Sequence, residues 1–351
     1  MTTRVSLYLA VSIATLVLGH EAAAQPAVAA RPPAEPQPAT SLGTLGGPYR
    51  TVNAINDRRQ VVGFANDAAE SWFHVFLWED GVMRDLGSGP DRLDYGADIN
   101  DRGQIAGTTG LQADGSWWAG IWQDEQLTIL APPPGAIYCT GSAINRRGVV
   151  VGSCTLQNGN TFDVVAARWG EDGMFSPIEA PPGVRLEPID VNDRGVVVGI
   201  ATRADGTRFP FVWEGGVAVD LNSISDRPFD RVVGINRHGQ IAGVGSFTAG
   251  RSDGLIFDRG RTTVIPTLPG SLSSVPYGIN DHGDVTGANN GRPDGFVWSK
   301  GRLFALGPLP GGSAAYGVAI NDRGDVAGHA TEPPDTTFPT AVIWPRATHP
   351  R

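Results

Sequence analysis

The 351-residue chain has little of several things. It holds two cysteines, three methionines and a single lysine, Lys300, among 27 basic side chains. The formal charge is −9, so no basic surplus is available to neutralise phosphates, which excludes a general nucleic-acid binder. There is no HExxH, no GxSxG and no Walker loop, and the six histidines do not cluster by spacing. Two cysteines with no histidine phrase nearby are not a ligand set, so no metal site and no cofactor is expected. Helical periodicity is absent throughout, and beyond residue 18 nothing resembles a transmembrane helix. What is abundant is glycine (47) and proline (27), which fits a turn-dense all-β protein or a disordered one. Nine tryptophans and 41% hydrophobic residues argue for a packed core.

The N-terminus reads as an address. Arg4 precedes an apolar run from Val5 to Leu18, and Ala22-Ala23-Ala24 stands before Gln25. This is the pattern of a signal peptide over 1–24, cleaved after Ala24 and implying export to the periplasm or beyond. Residues 25–40 hold five prolines and read as a stiff linker.

Length suggests two domains, but an internal repeat argues for one. A phrase of apolar residue, Asn, two polar residues, Gly and a short apolar run ending in Gly recurs seven times. Its asparagines are Asn56, Asn100, Asn145, Asn192, Asn236, Asn280 and Asn321, at spacings of 44, 45, 47, 44, 44 and 41. Each copy is followed by a second phrase such as FLW (76–78), ARW (167–169) or VIW (342–344), then a turn and another apolar stretch. Each unit therefore predicts four strands, a to d. Asn-Asp-Arg-Gly forms a four-residue a–b loop, and Asp80-Gly81 or Gly215-Gly216 a tight c–d turn. Arg59 replaces the loop glycine in the first unit, which predicts strain or a changed turn there.

Four strands per unit near 44 residues is the pattern of a β-propeller blade, and seven units predict a seven-bladed β-propeller over 41–351. The last unit stops without a d strand. SLGTLGG (41–47) is a d strand with no predecessor, so the N-terminal piece is expected to complete the last blade and remove the seam.

The INDRGQVVG-like phrase, with HVFLW (74–78), DGVMRDLG (80–87) and LGTLGG (42–47), resembles the HAF repeat of predicted extracellular bacterial proteins over 41–344. His-Ala-Phe itself is only approximated, as His74-Val75-Phe76. The resemblance implies export and a repeat architecture; it supplies no catalytic residue.

Cys139 in strand a and Cys154 in strand b of the third unit fall opposite one another if Ile144 pairs with Val149 across the Asn145–Gly148 loop. A disulfide is expected in an oxidising compartment.

Features present in every unit read as folding devices: turn formers and wedges between sheets. The Asn-Asp loops carry too few carboxylates for calcium, and two copies have Arg146 and Arg237 instead. His238 and His282 read as solvated turn residues. Asp98 and Asp190, at equivalent places in strand a, are the best pair for hydrolytic chemistry across a channel, though strand-end hydrogen bonding explains them as well. The variable b–c and d–a loops share one face. Tyr49, Tyr95, Tyr138, Phe229, Tyr277 and Tyr316 fall near the starts of strand a there, and Trp72 and Trp117 near the b–c loops. With Arg185, Arg208 and Asp114 these predict a non-enzymatic binding face for a glycan, peptide or protein partner, on a protein expected to be monomeric and without a membrane span. The same aromatics would equally plug a channel mouth. The alternative is a polysaccharide hydrolase or lyase using channel carboxylates, and a third option is a purely structural surface module.

Overall fold

The computed structural model describes residues 38–69, 73–87, 92–111, 115–248, 251–290, 294–333 and 339–346. The expected signal peptide and nearly all of the expected linker lie outside these residues, as do Trp72 and Asp114. Among the described residues there are 28 β-strands and one 3-10 turn, Leu221–Ser223. Among the described residues no helix is long and apolar enough to cross a membrane.

The strands form five four-stranded antiparallel sheets and one eight-stranded sheet. The first unit shows the pattern: a (Gly46–Ile55), b (Val61–Asp67), c (Phe73–Glu79) and d (Val82–Asp85), paired in chain order. The eight-stranded sheet is units two and three, joined by one parallel bridge between Trp117 and Tyr138. In the last sheet the partner of Thr340–Trp344 is Thr40–Ser41 from the other end of the chain. That strand starts at Thr40, inside the expected linker, and pairing ends near Leu42, whose N–H bonds to the Ala341 carbonyl. Strand a of the first unit already begins at Gly46, so most of 41–47 is connection and not d strand.

The b strands are apolar on successive residues because sheets pack on both of their faces. Val61 and Val62 are both fully buried, each in a different core. Seven hydrophobic clusters are each shared by two neighbouring units. One joins Val52 and Phe76 of the first unit to Ala327 and Ile343 of the last. The strand-c aromatics are the wedges: Trp122, Trp169 and Trp344 are at most 1% exposed.

The a–b connection is longer than the four residues expected. Ile55 pairs with Val61, leaving Asn56–Gln60 as a five-residue loop. Each strand a then carries a bulge three residues before its asparagine, at Asn53, Ala97, Ser142, Ile189, Val233, Tyr277 and Val318. The bulge explains the glycine that ends each b-strand phrase. A Cβ at Gly63 would collide with the carbonyl oxygen of Thr51 on strand a, and Gly152, Gly199 and Gly328 meet the same obstacle.

In the third unit Ile144 faces Val150 and not Val149, one residue off the expected register, and the bulge at Ser142 shifts it back. Cys139 and Cys154 are therefore directly opposed and disulfide-bonded, with Cα atoms 4.1 Å apart. In units one, two, four, five and six the c–d turns are two left-handed residues, Asp80-Gly81 (φ +50 and +86) and Gly215-Gly216 among them, whereas the third unit uses the five residues Gly170–Met174.

Arg59 neither changes the turn nor avoids the strain. It takes the left-handed conformation at φ +64, and its N–H bonds to the Asn56 carbonyl as the loop glycines do elsewhere. Its guanidinium reaches the last unit and forms a two-pronged ion pair with the buried Asp325, 2.7 Å on each arm.

Candidate binding face

The repeated asparagines are buried, and each makes two kinds of bond. Within its loop, Asn56 Oδ1 accepts from the N–H groups of Arg58 and Gln60, as expected of a turn-forming Asn. Its Nδ2 then donates to the carbonyl of Asn100 in the next unit at 3.0 Å. Asn100, Asn145, Asn192, Asn236 and Asn280 each donate likewise to the next in line, and Asn321 donates to Asn56 at 2.9 Å. The seven side chains thus form a closed circuit of hydrogen bonds. Sequence reasoning found the turn former but not the circuit, because the second bond joins residues 41 to 47 apart, or 265 at the closure.

The residues after these asparagines line a cavity of about 160 Å³ at the mouth of the same end. Arg146 reaches across it to Asp57, Asp101, Asp281 and Asp322, at 3.5, 3.0, 3.1 and 2.7 Å. Burial raises the Asp57 and Asp281 carboxyls above their ordinary value, despite bonds from the Asp322 and Arg237 N–H groups. His238 and His282 lie outside this network's centre, with exposed side chains at turn positions.

Deeper in, the seven bulge residues, with Asp98 and Asp190, line a second cavity of about 300 Å³. Each carboxylate ties two units together. Asp98 accepts from the N–H of Ile99 in its own strand and of Ile144 in the next unit; Asp190 does the same with Val191 and Ile235. Burial, reinforced by Asp190, pushes Asp98 up to about 7, and burial raises Asp190 as well. Exposed Tyr277 opens onto this cavity.

On the opposite face the aromatics form a row. Tyr49 meets Phe64 (6.3 Å between ring centres) and Phe73 (5.1 Å), and both lead to Tyr95. Tyr95 lies over Trp117 at 5.8 Å, and Trp117 meets Tyr138 at 6.3 Å. Four of the expected residues are thus brought together. Phe64 and Phe73 were missed, although they flank a b–c loop as Trp117 does; searching both sides of every such loop finds them. Burial raises the Tyr95 and Tyr138 phenols, which keeps them neutral hydrogen-bonding groups. Phe229 is 2% exposed and belongs to the core between units four and five, not to this face. Tyr316 is half-buried opposite His329 on the neighbouring strand.

Tyr138 ends the row and also lines a cavity of about 510 Å³ with Arg185, Glu187 and Arg208. Glu187 bonds Arg185 at 2.7 Å and approaches Arg208 at 3.5 Å. Among the described residues no group of three or more His, Cys, Asp or Glu is arranged to hold a metal ion.

These features define a class: a β-propeller-like all-β scaffold carrying an aromatic face. A puromycin-hydrolyzing peptidase from Mycobacterium tuberculosis matches 91% of this chain and 56% of its own, at 12% identity and a TM-score of 0.57. TolB from Acinetobacter baumannii matches 70% of this chain and 62% of its own, at 15% identity and a TM-score of 0.47. A streptogramin B lyase matches 87% and 96%, at 12% identity and 0.45. The chain thus covers less than two thirds of the peptidase and of TolB, and at such identities the likeness is one of fold alone. No family model and no curated protein matches the chain.

Proposed function

We propose that this is an exported seven-bladed β-propeller of the HAF-repeat type that binds an extracellular glycan, peptide or protein through its b–c/d–a loop face, without catalysis. The observation that carries the reading is the row from Tyr49 to Trp117 and Tyr138, leading into the cavity of Arg185, Glu187 and Arg208. Rings on a rigid scaffold beside a polar cavity suit a ligand with apolar faces and polar edges. The asparagine circuit and the pairing of the two chain ends support seven blades closed by the N-terminal strand. The disulfide supports export.

The test is a glycan and peptide array on the protein from Gln25 onward, followed by affinity measurements on hits. Trp117→Ala and Tyr95→Ala are expected to weaken the ligand found. Unchanged affinity in both variants counts against this face.

A second reading, hydrolysis or lysis of a polysaccharide in the channel, is favoured by one observation: Asp98 and Asp190 share a cavity and both are raised. Against it, both oxygens of each carboxylate already accept backbone N–H groups. It predicts product release that disappears in Asp98→Asn and Asp190→Asn; a turnover assay on array hits decides.

A further inference from the structure

The repeat is nearly symmetric but the loop face is not. Seven residues before the circuit asparagine stand Tyr49 in the first unit and Tyr138 in the third, but Arg185 in the fourth. The ring row reaches Tyr138, and the two arginines begin across the cavity that Tyr138 lines.

The charge in that cavity is unbalanced. Two guanidiniums share one carboxylate, Glu187. Arg185, Thr202 and Arg208 stand directly opposite one another on strands a, b and c of the fourth unit. Directly opposed residues project from the same side of a sheet, so both arginines rise from one surface with Thr202 between them. The Thr202 hydroxyl is buried and has no hydrogen-bond partner among the described residues. Among the described lining residues one positive charge is left over here, in a chain whose net charge is −9. A guanidinium matches a carboxylate in a two-pronged bond, which fits an acidic ligand group.

The rest of the lining pairs four hydroxyl residues, Thr140, Ser142, Ser153 and Thr155, with four apolar ones, Val164, Pro188, Ile189 and Ile200. Three of the rings in the row are phenols. Hydroxyls and phenols interleaved with apolar side chains suit a sugar chain, whose rings carry apolar faces and hydroxyl edges.

We propose that this site takes a carboxylate-bearing polysaccharide of the uronic-acid type. Its sugar rings lie along Tyr95, Trp117 and Tyr138, and its carboxylates bond Arg185 and Arg208. The assignment rests on the reading of this face as the binding face.

The experiment is calorimetric titration of the protein from Gln25 onward with polygalacturonate oligomers, their methyl esters and polyglutamate, at low and high salt. Polygalacturonate is expected to bind, more weakly at high salt, and roughly tenfold more weakly once esterified. The double variant Arg185→Gln/Arg208→Gln is expected to lose a similar factor while keeping its unfolding midpoint, and Trp117→Ala to weaken acid and ester alike. Equal binding of acid and ester, both sensitive to Trp117→Ala, overturns the acidic ligand and leaves the face standing. Tighter binding of polyglutamate overturns it in favour of an acidic peptide, and no binding of polygalacturonate overturns it outright. Polygalacturonate binding unaffected by any of these substitutions overturns both the ligand and the face.

Discussion

Replacing Arg59 isolates the junction between the last unit and the first. Two opposing effects meet at this residue. Its left-handed backbone costs about 1 kcal/mol relative to glycine. Its guanidinium pairs with Asp325, whose side chain is 1% exposed. Removing one partner of a fully buried pair costs about 3–5 kcal/mol. Arg59 is 49% exposed, so solvent screens the pair, and about 2 kcal/mol is the reasonable expectation. Arg59→Ala should therefore lower unfolding free energy by about 2 kcal/mol, and Arg59→Gly by about 1, because glycine relieves the strain. Urea unfolding of both variants measures this. Adding Asp325→Asn to Arg59→Ala should restore part of the loss, since it removes the orphaned charge. The pH dependence gives an independent check. Burial alone would raise the Asp325 carboxyl, but bonds from Arg59, the Arg346 N–H and Asn321 outweigh burial and hold it below 3.8. A depressed carboxyl contributes stability that is present above its unfolded value and lost as pH falls through the folded one. The gap between wild type and Arg59→Ala should thus narrow below about pH 4. If Arg59→Gly matches or exceeds wild type at pH 7, the pair adds nothing that strain does not cancel, and the reasoning fails.

Other outcomes follow from the same geometry. Burial, with the nearby Arg50 charge, lowers His329 from 6.5 to about 4, and its Nε2 accepts the Val52 N–H across the same junction. The unfolded chain takes up that proton first, so stability is complete above pH 6.5 and this contribution falls by about 3 kcal/mol towards pH 4; an imidazole titrating near 6.5 by NMR sinks this. Asn236→Ala removes two acceptor bonds within its loop and the donor bonds to Gln240 and Asn280, and should cost about 2–4 kcal/mol in urea unfolding. Asn236→Asp keeps the acceptors but turns a carboxylate towards a carbonyl, so it should be destabilising as well; a neutral result refutes the role of the circuit. Reducing Cys139–Cys154 should cost about 3 kcal/mol, read as a lower unfolding midpoint with thiol than without.

Much of this was legible because the repeat states each local rule seven times. Period, turn glycines and strand-c aromatics are all short-range signals. The cysteine pairing shows the limit. It came out right because two omissions cancel: the loop is one residue longer than read, and the Ser142 bulge restores the register. A bulge leaves only an indirect trace, the glycine facing it. Arg59 read as a defect because its partner is 266 residues away. The aromatic row was half visible: Tyr49, Tyr95, Trp117 and Tyr138 were picked by position, while Phe64 and Phe73 looked like ordinary strand residues. Phe229 was picked by the same rule and is core. Its N–H and carbonyl bond to the Asn222 side chain, a local turn that carries the ring inward.

The asparagine circuit also counts. All seven amides donate the same way round to the carbonyl of the following unit, and in five of them the same nitrogen also bonds a side chain of its own loop. A chain shortened by one unit would leave one buried amide and one buried carbonyl facing a gap. A chain lengthened by one would force every link to a new angle. Sequence drift is therefore cheap on the loop face and costly at this hub, so the loop face can diverge while the number of units stays fixed.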